Sequence, residues 1–292
     1  MAELQTFRGT VFYDEQGSGE PLLLLHASPG DPRDFDAVLP ALAARYRVIR
    51  ITWPGYGEAP APRPPSAASA MMFAELIEQF VVKRELSGLR IVGNSVGAYA
   101  AARLALARPE RVKALVLVAP AGFTAHNRWT RLCCALKGKE GVTRWLNGLL
   151  AFLYLRVKTP VSQAMRARAR QEQRKPVAVA VNAALWRSFT HPEHDLRAGA
   201  GFIQAPTLVI SGRRDPLIPV AEGRLAASTI PRASFIVLPC GHAPFAEVPE
   251  KFLAVTLPFL ERCDASREAD VGLGADLPAG PPSGAQAAAG SA

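Results

Sequence analysis

No run of eighteen or more apolar residues occurs in the chain, so no transmembrane helix is predicted. Met1 to Thr6 has neither a basic stretch nor an apolar core, and export on a signal peptide is not expected. Cysteine is sparse: Cys133, Cys134, Cys240 and Cys263, with no C-x-x-C spacing. A bridge between the adjacent pair would be strained, so we read all four as reduced thiols and the protein as cytoplasmic. Acids are scarce in one segment. Between Thr124 and Ala200, fourteen Arg or Lys stand against Glu140, Glu172, Glu193 and Asp195, an excess larger than the net charge of +9. Such a segment reads most simply as a solvated helical surface; the functional alternative is a peripheral contact with anionic lipid or an acidic substrate. With the rest of the chain near neutral, nucleic acid is not an expected partner.

What the sequence does contain is alternation. Phe7–Tyr13 alternates as a strand and is followed by a turn at residues 16–20. Pro21–His26 (P-L-L-L-L-H) then reads as a strand buried on both faces, the two forming a hairpin. Tyr46–Ile51, Leu89–Gly93 and Val112–Val118 are further apolar strands, with helical spacing at Phe35–Ala44 and at Phe73, Leu76, Ile77, Phe80 and Val81. Ser66 or Ser69 is placed to cap that second helix. From about Gly122 to Phe202 only helical patterns occur, at Val142–Val157, Val161–Lys175 and Pro176–Phe189. Strands return at Thr207–Gly212 and Ser234–Leu238, around a helix at Val220–Ser228 and before a last helix from Phe245 to Arg262. The pattern predicts an α/β fold: a mostly parallel central sheet with helices on both faces and an inserted all-helical cap. The expected division is a core of residues 1–121 and 203–263, a cap of 122–202, and a disordered tail of 264–292, where large apolar residues almost vanish.

The chemistry centres on Gly93-Asn94-Ser95-Val96-Gly97, between a strand and an alanine-rich helix. A serine on so sharp a turn needs neighbours without a Cβ, and the following helix aims free N–H groups where an oxyanion would form. A serine hydroxyl needs a base, and the base needs a group that fixes its tautomer. Gly212-Arg213-Arg214-Asp215-Pro216 and Cys240-Gly241-His242-Ala243-Pro244 each follow a predicted parallel strand, which puts Asp215 and His242 at the sheet edge that carries Ser95. The plainer readings are a loop histidine bonded to backbone and an Asp215 solvated or paired with Arg213 or Arg214. Glu247 and Glu250, in or beside the last helix, are poorer orienters. Val96 N–H is one oxyanion donor, and Ser28 N–H the second, with Ala27 as the alternative. The Ser28 side chain is also placed to cap a helix beginning near Asp31.

These motifs, with H-A-S-P-G at residues 26–30 and W-P-G-Y-G at 53–57, resemble the serine α/β-hydrolase superfamily of the cap-bearing, esterase- or lipase-like kind. The resemblance spans about residues 7 to 262. Two positions depart from it: Ala27 where the family usually has Gly after the histidine, and Thr52 where it often has Asp. It implies hydrolysis of a carboxylic ester or related acyl compound through an acyl-serine, with Ser95, His242 and Asp215 catalytic and no cofactor. A serine at the elbow argues against the branches that use a carboxylate nucleophile. Candidate substrate-binding residues are His26, Ala27, Trp53, Trp145 and Phe152, the last two within an apolar stretch running to Leu155. His191-Pro192-Glu193-His194-Asp195 resembles a metal cluster, but Pro192 breaks the helical register, and a solvated hinge is the expectation. Rival functions are carbon–carbon bond hydrolysis, perhydrolysis or acyl transfer with the same triad, or a binding module whose triad is occluded.

Overall fold

The computed structural model describes residues 1–172 and 174–272, the side chains of 146–152 and 266–272 excepted. Eight strands form one sheet: β1 (Ala2–Thr6), β2 (Gly9–Gln16), β3 (Pro21–Leu25), β4 (Arg47–Thr52), β5 (Leu89–Asn94), β6 (Val112–Val118), β7 (Thr207–Gly212) and β8 (Ala233–Leu238). Their order is β1-β2-β4-β3-β5-β6-β7-β8. The pairs β1/β2 and β2/β4 are antiparallel, and every later pair is parallel. Short α1 (Leu39–Ala43) and longer α2 (Ala70–Lys83) and α3 (Val96–Ala107) connect the first strands. Four helices separate β6 from β7: α4 (Arg128–Lys137), α5 (Glu140–Leu153), α6 (Pro160–Glu172) and α7 (Pro176–Ser188). The chain then adds α8 (Val220–Thr229), α9 (Pro244–Glu247) and α10 (Pro249–Gly272).

Strand period decides the layering. Successive side chains point to opposite faces, so Leu23, Leu25, Ile91, Leu115 and Leu117 pack with Phe73, Phe80 and Leu104 of α2 and α3. Leu22, Leu24, Val92, Val116 and Val118 pack on the other face with Leu42, Phe245, Phe252 and Leu260. Both faces are covered, which is why the central strands read as unbroken apolar runs. Ser69 caps α2, accepting from Met72 N at 3.0 Å.

Three expectations are corrected. The hairpin forms between β1 and β2, and β3 does not pair with β2: it lies between β4 and β5. The reason is burial, since all five β3 residues are buried while β2 alternates and its ends are exposed, a pattern suited to the sheet margin. Helix α4 (Arg128–Lys137) is a further element, ahead of the helical patterns that begin at Val142. The tail does not begin at Asp264, because α10 continues to Gly272. Arg90 at the start of β5 is 1% exposed and donates from Nε to Asp264 Oδ1 at 2.7 Å, while Lys113 Nζ lies 3.1 Å from the same oxygen. Tyr46 OH donates to Asp264 Oδ2 at 3.1 Å. A buried guanidinium needs a counter-charge, and composition does not reveal that Asp264 supplies it. Residues 273–292 of the expected tail lie outside the described residues.

Candidate active site

Ser95 sits between the last residue of β5 and the first of α3, with φ 57° and ψ −114°, a strained conformation for a residue with a Cβ. It is pinned on both sides: its N–H donates to Val118 O at 3.0 Å, and its carbonyl accepts from Tyr99 N at 3.0 Å. The flanking glycines serve close approach. A Cβ on Gly97 would stand 2.3 Å from Leu25 O, and one on Gly93 2.5 Å from Gly97 O. Neither residue tolerates a side chain without opening the turn.

Asp215 and His242 lie on the loops after β7 and β8. His242 Nδ1 is 2.6 Å from Asp215 Oδ2, with the aspartate side chain wholly shielded and the imidazole 3% exposed. Asp215 Oδ1 accepts from Leu217 N at 2.8 Å and Ile218 N at 3.2 Å, which fixes the carboxylate. A carboxylate only accepts, so the Nδ1 hydrogen is committed and Nε2 is left to receive a proton. Asn94, the neighbour of Ser95, donates from Nδ2 to His242 O at 3.2 Å and so ties the elbow to the histidine loop. Among the described residues no hydrogen bond joins Ser95 Oγ to His242; such contacts often tighten only with substrate bound.

Glu247, set aside as an orienter, holds this loop instead. It is 1% exposed, and its Oε2 accepts from Gly241 N at 3.0 Å, Arg156 N at 2.6 Å and Val157 N at 2.8 Å. Its Oε1 accepts from Ala243 N at 3.2 Å. His242 N donates to Tyr154 O at 2.8 Å, so the histidine loop is stitched to the chain between α5 and α6.

A cleft opens at Ser95. Ser28 and Val96 line it from the core side, and Leu217 and Ile218 from the Asp215 loop. Val96 is the first residue of α3, so its N–H has no partner inside the helix. The Ser28 hydroxyl donates to Asn182 Oδ1 at 3.0 Å and bonds Tyr56 OH. It caps no helix: Asp31 caps the turn at Pro32–Phe35. The helical insert supplies most of the remaining wall, including Thr130, Cys134, Asn182, Leu185, Trp186, Phe189 and His194.

The substrate-binding candidates fare differently. His26 and Trp53 are wholly buried and do not line the cleft. Trp53 Nε1 donates to His26 O at 2.7 Å, its ring stacks on Phe73, and Trp53 N donates to His26 Nε2 at 3.3 Å. His26 Nδ1 then donates to Ala27 O at 2.7 Å, and burial lowers its pKa to about 4, so the ring is a neutral brace for the loop at residues 26–30. Ala27 and Trp145 do not line the cleft either, and Trp145 is turned to solvent. The Phe152 side chain lies outside the described residues. The wall residues that sequence reasoning missed carried a signal: Asn182, Leu185, Trp186 and Phe189 recur at helical spacing on one face of α7 and just beyond it. His194, expected in a solvated hinge, is buried instead. Tyr99 OH lies 2.8 Å from His194 Nδ1 and accepts from Arg103 Nε at 2.9 Å, and burial lowers the histidine pKa to about 4. Asp195 pairs with Arg197 at 2.6 Å. Among the described residues no three His, Cys, Asp or Glu side chains are grouped to hold a metal ion.

Comparison with known proteins identifies the fold family. A family model described as alpha/beta hydrolase fold matches residues 20–249. The pimeloyl-[acyl-carrier protein] methyl ester esterase of Nitrosomonas europaea is 29% identical over 259 residues, 84% of this chain and 97% of that protein. An esterase from Exiguobacterium antarcticum superposes with TM-score 0.76 at 20% identity, covering 89% of this chain and 98% of its own. The enol-lactonase from Burkholderia xenovorans superposes with TM-score 0.74 at 19% identity, covering 89% and 100%. At that identity the two structures speak to the fold alone.

Proposed function

The chain belongs to the alpha/beta hydrolase fold family, and on that premise we propose that it is a serine hydrolase cleaving a carboxylic ester through a covalent acyl-serine. Ser95 Oγ attacks the acyl carbonyl as His242 Nε2 takes its proton, and Asp215 stabilises the imidazolium that results. The developing oxyanion is received by the N–H groups of Val96 and Ser28, each such donor contributing about 10²–10³ in rate. His242 then protonates the leaving alcohol, and water drawn through the same imidazole releases the acid.

One observation carries the reading. His242 and Asp215 meet at 2.6 Å, out of solvent, at the sheet edge where Ser95 holds a positive φ. The apolar wall built by Leu185, Trp186 and Phe189 favours an uncharged acyl or alkyl group of small to medium size. The relative from Nitrosomonas, named for a methyl ester, supports ester chemistry over carbon–carbon cleavage. We further assign residues 1–121 and 203–272 to the catalytic core, since α10 runs on to Gly272, and 122–202 to a cap that sets specificity. The protein's place is the cytoplasm, on the four unpaired cysteines.

A panel of esters, lactones, thioesters and diketones, assayed with Ser95→Ala as blank, tests the proposal. Turnover of at least one ester that vanishes in the blank is expected. Ester turnover equal in both proteins would end the reading.

A further inference from the structure

Helix α4 presents its apolar side to the wrong place. At 100° per residue, Trp129, Leu132 and Leu136 fall within an arc of about 60°, and they are 72%, 50% and 43% exposed. Thr130 and Cys134 lie on the other side of the helix and line the Ser95 cleft. Trp145 on α5, which packs against α4, is 70% exposed. A soluble surface seldom carries a ridge of three large apolar side chains, one of them tryptophan, without a partner.

The charges around the patch indicate which partner. Residues 128–145 hold Arg128, Arg131, Lys137, Lys139 and Arg144 against Glu140 alone. Arg128, Arg131, Lys139 and Arg144 are exposed. An indole ring and two leucines on one ridge, flanked by arginine with no acid on the helix, match the interface between headgroups and acyl chains. We propose that α4 and the first turns of α5 dock on an anionic lipid bilayer, with Trp129, Leu132, Leu136 and Trp145 entering the interface and the basic residues engaging phosphate headgroups. The opposite face of α4 then borders the substrate cleft, so esters dissolved in the bilayer reach Ser95 across one helix.

The 292-residue chain is mixed with vesicles of phosphatidylcholine alone and with vesicles one-third phosphatidylglycerol, some carrying brominated acyl chains. Partition onto the anionic vesicles is expected, with quenching of tryptophan emission and release by high salt. Trp129→Ser/Leu132→Ser should weaken binding about tenfold or more. Arg128→Gln/Arg131→Gln should weaken it roughly thirtyfold, about fivefold per charge. Hydrolysis of p-nitrophenyl acetate should be unchanged in both double variants, so this outcome is separable from failure of the ester reading. Absence of partition would overturn the proposal, as would partition indifferent to Trp129→Ser/Leu132→Ser. A dimer in sedimentation equilibrium that this variant dissolves would overturn it in favour of a second copy of the chain.

Discussion

Asp215 orients His242 through one hydrogen bond, and that makes its charge separable from its shape. Asp215→Asn keeps an oxygen for Leu217 N and Ile218 N but turns an N–H₂ toward His242 Nδ1. The imidazole must then carry its proton on Nε2, where it cannot accept one from Ser95. We expect kcat to fall about 10⁴-fold with little change in KM and an unaltered melting temperature; a fall under tenfold would remove Asp215 from the mechanism. His26 makes a different claim, on stability. Its pKa is lowered to about 4 from 6.5 by burial. Between those values the unfolded chain binds a proton that the folded one refuses, so the stabilisation is complete above pH 6.5 and is lost as pH falls toward 4. Its size is about 3 kcal/mol. In urea titrations at pH 7 and pH 4.5, His26→Gln, which keeps a donor and an acceptor but does not titrate, should lose less stability on acidification than the wild type. An equal loss would mean that other groups carry the acid sensitivity.

The elements were legible where burial is two-sided. The leucine run of β3 and the V-K-A-L-V-L-V of β6 could belong only to a covered parallel sheet, and the elbow was marked by Gly93 and Gly97. Pairing was less legible, because the partner of β2 depends on which strand can bear exposure and not on which comes next. α4 is less legible for a different reason: its apolar stripe is only Trp129, Leu132 and Leu136, set among Arg128, Arg131, Lys137 and small residues, too short to stand out from a loop. The end of α10 was misplaced because Asp264 acts through Arg90, 174 residues away in sequence. That contact has a measurable consequence. Asp264→Asn leaves the buried Arg90 guanidinium with Gly88 O at 3.1 Å and, as its one remaining acid among the described residues, Glu20, whose oxygen is 3.2 Å away on a side chain 64% exposed. Chemical denaturation should show a loss of about 3 kcal/mol, and a loss below about 0.5 kcal/mol would reduce the Arg90–Asp264 pair to a surface contact.

At the scale of the whole molecule, one sheet edge gathers what the sequence scatters. Ser95 follows β5, Asp215 follows β7 and His242 follows β8, and the insert between β6 and β7 walls the cleft while Glu247 fastens it to the histidine loop. The three proposed catalytic residues are readable in the sequence because their turns are local; the cleft is not, because its wall comes from an insert whose contacts no motif records. The proposed reaction requires Ser95 as the nucleophile. Incubation with a fluorophosphonate, followed by peptide mass mapping, tests this directly. A single phosphonyl adduct is expected on the peptide containing Ser95, absent in Ser95→Ala and formed far more slowly in His242→Ala. No adduct while esters are still turned over, or an adduct on another residue, would contradict it.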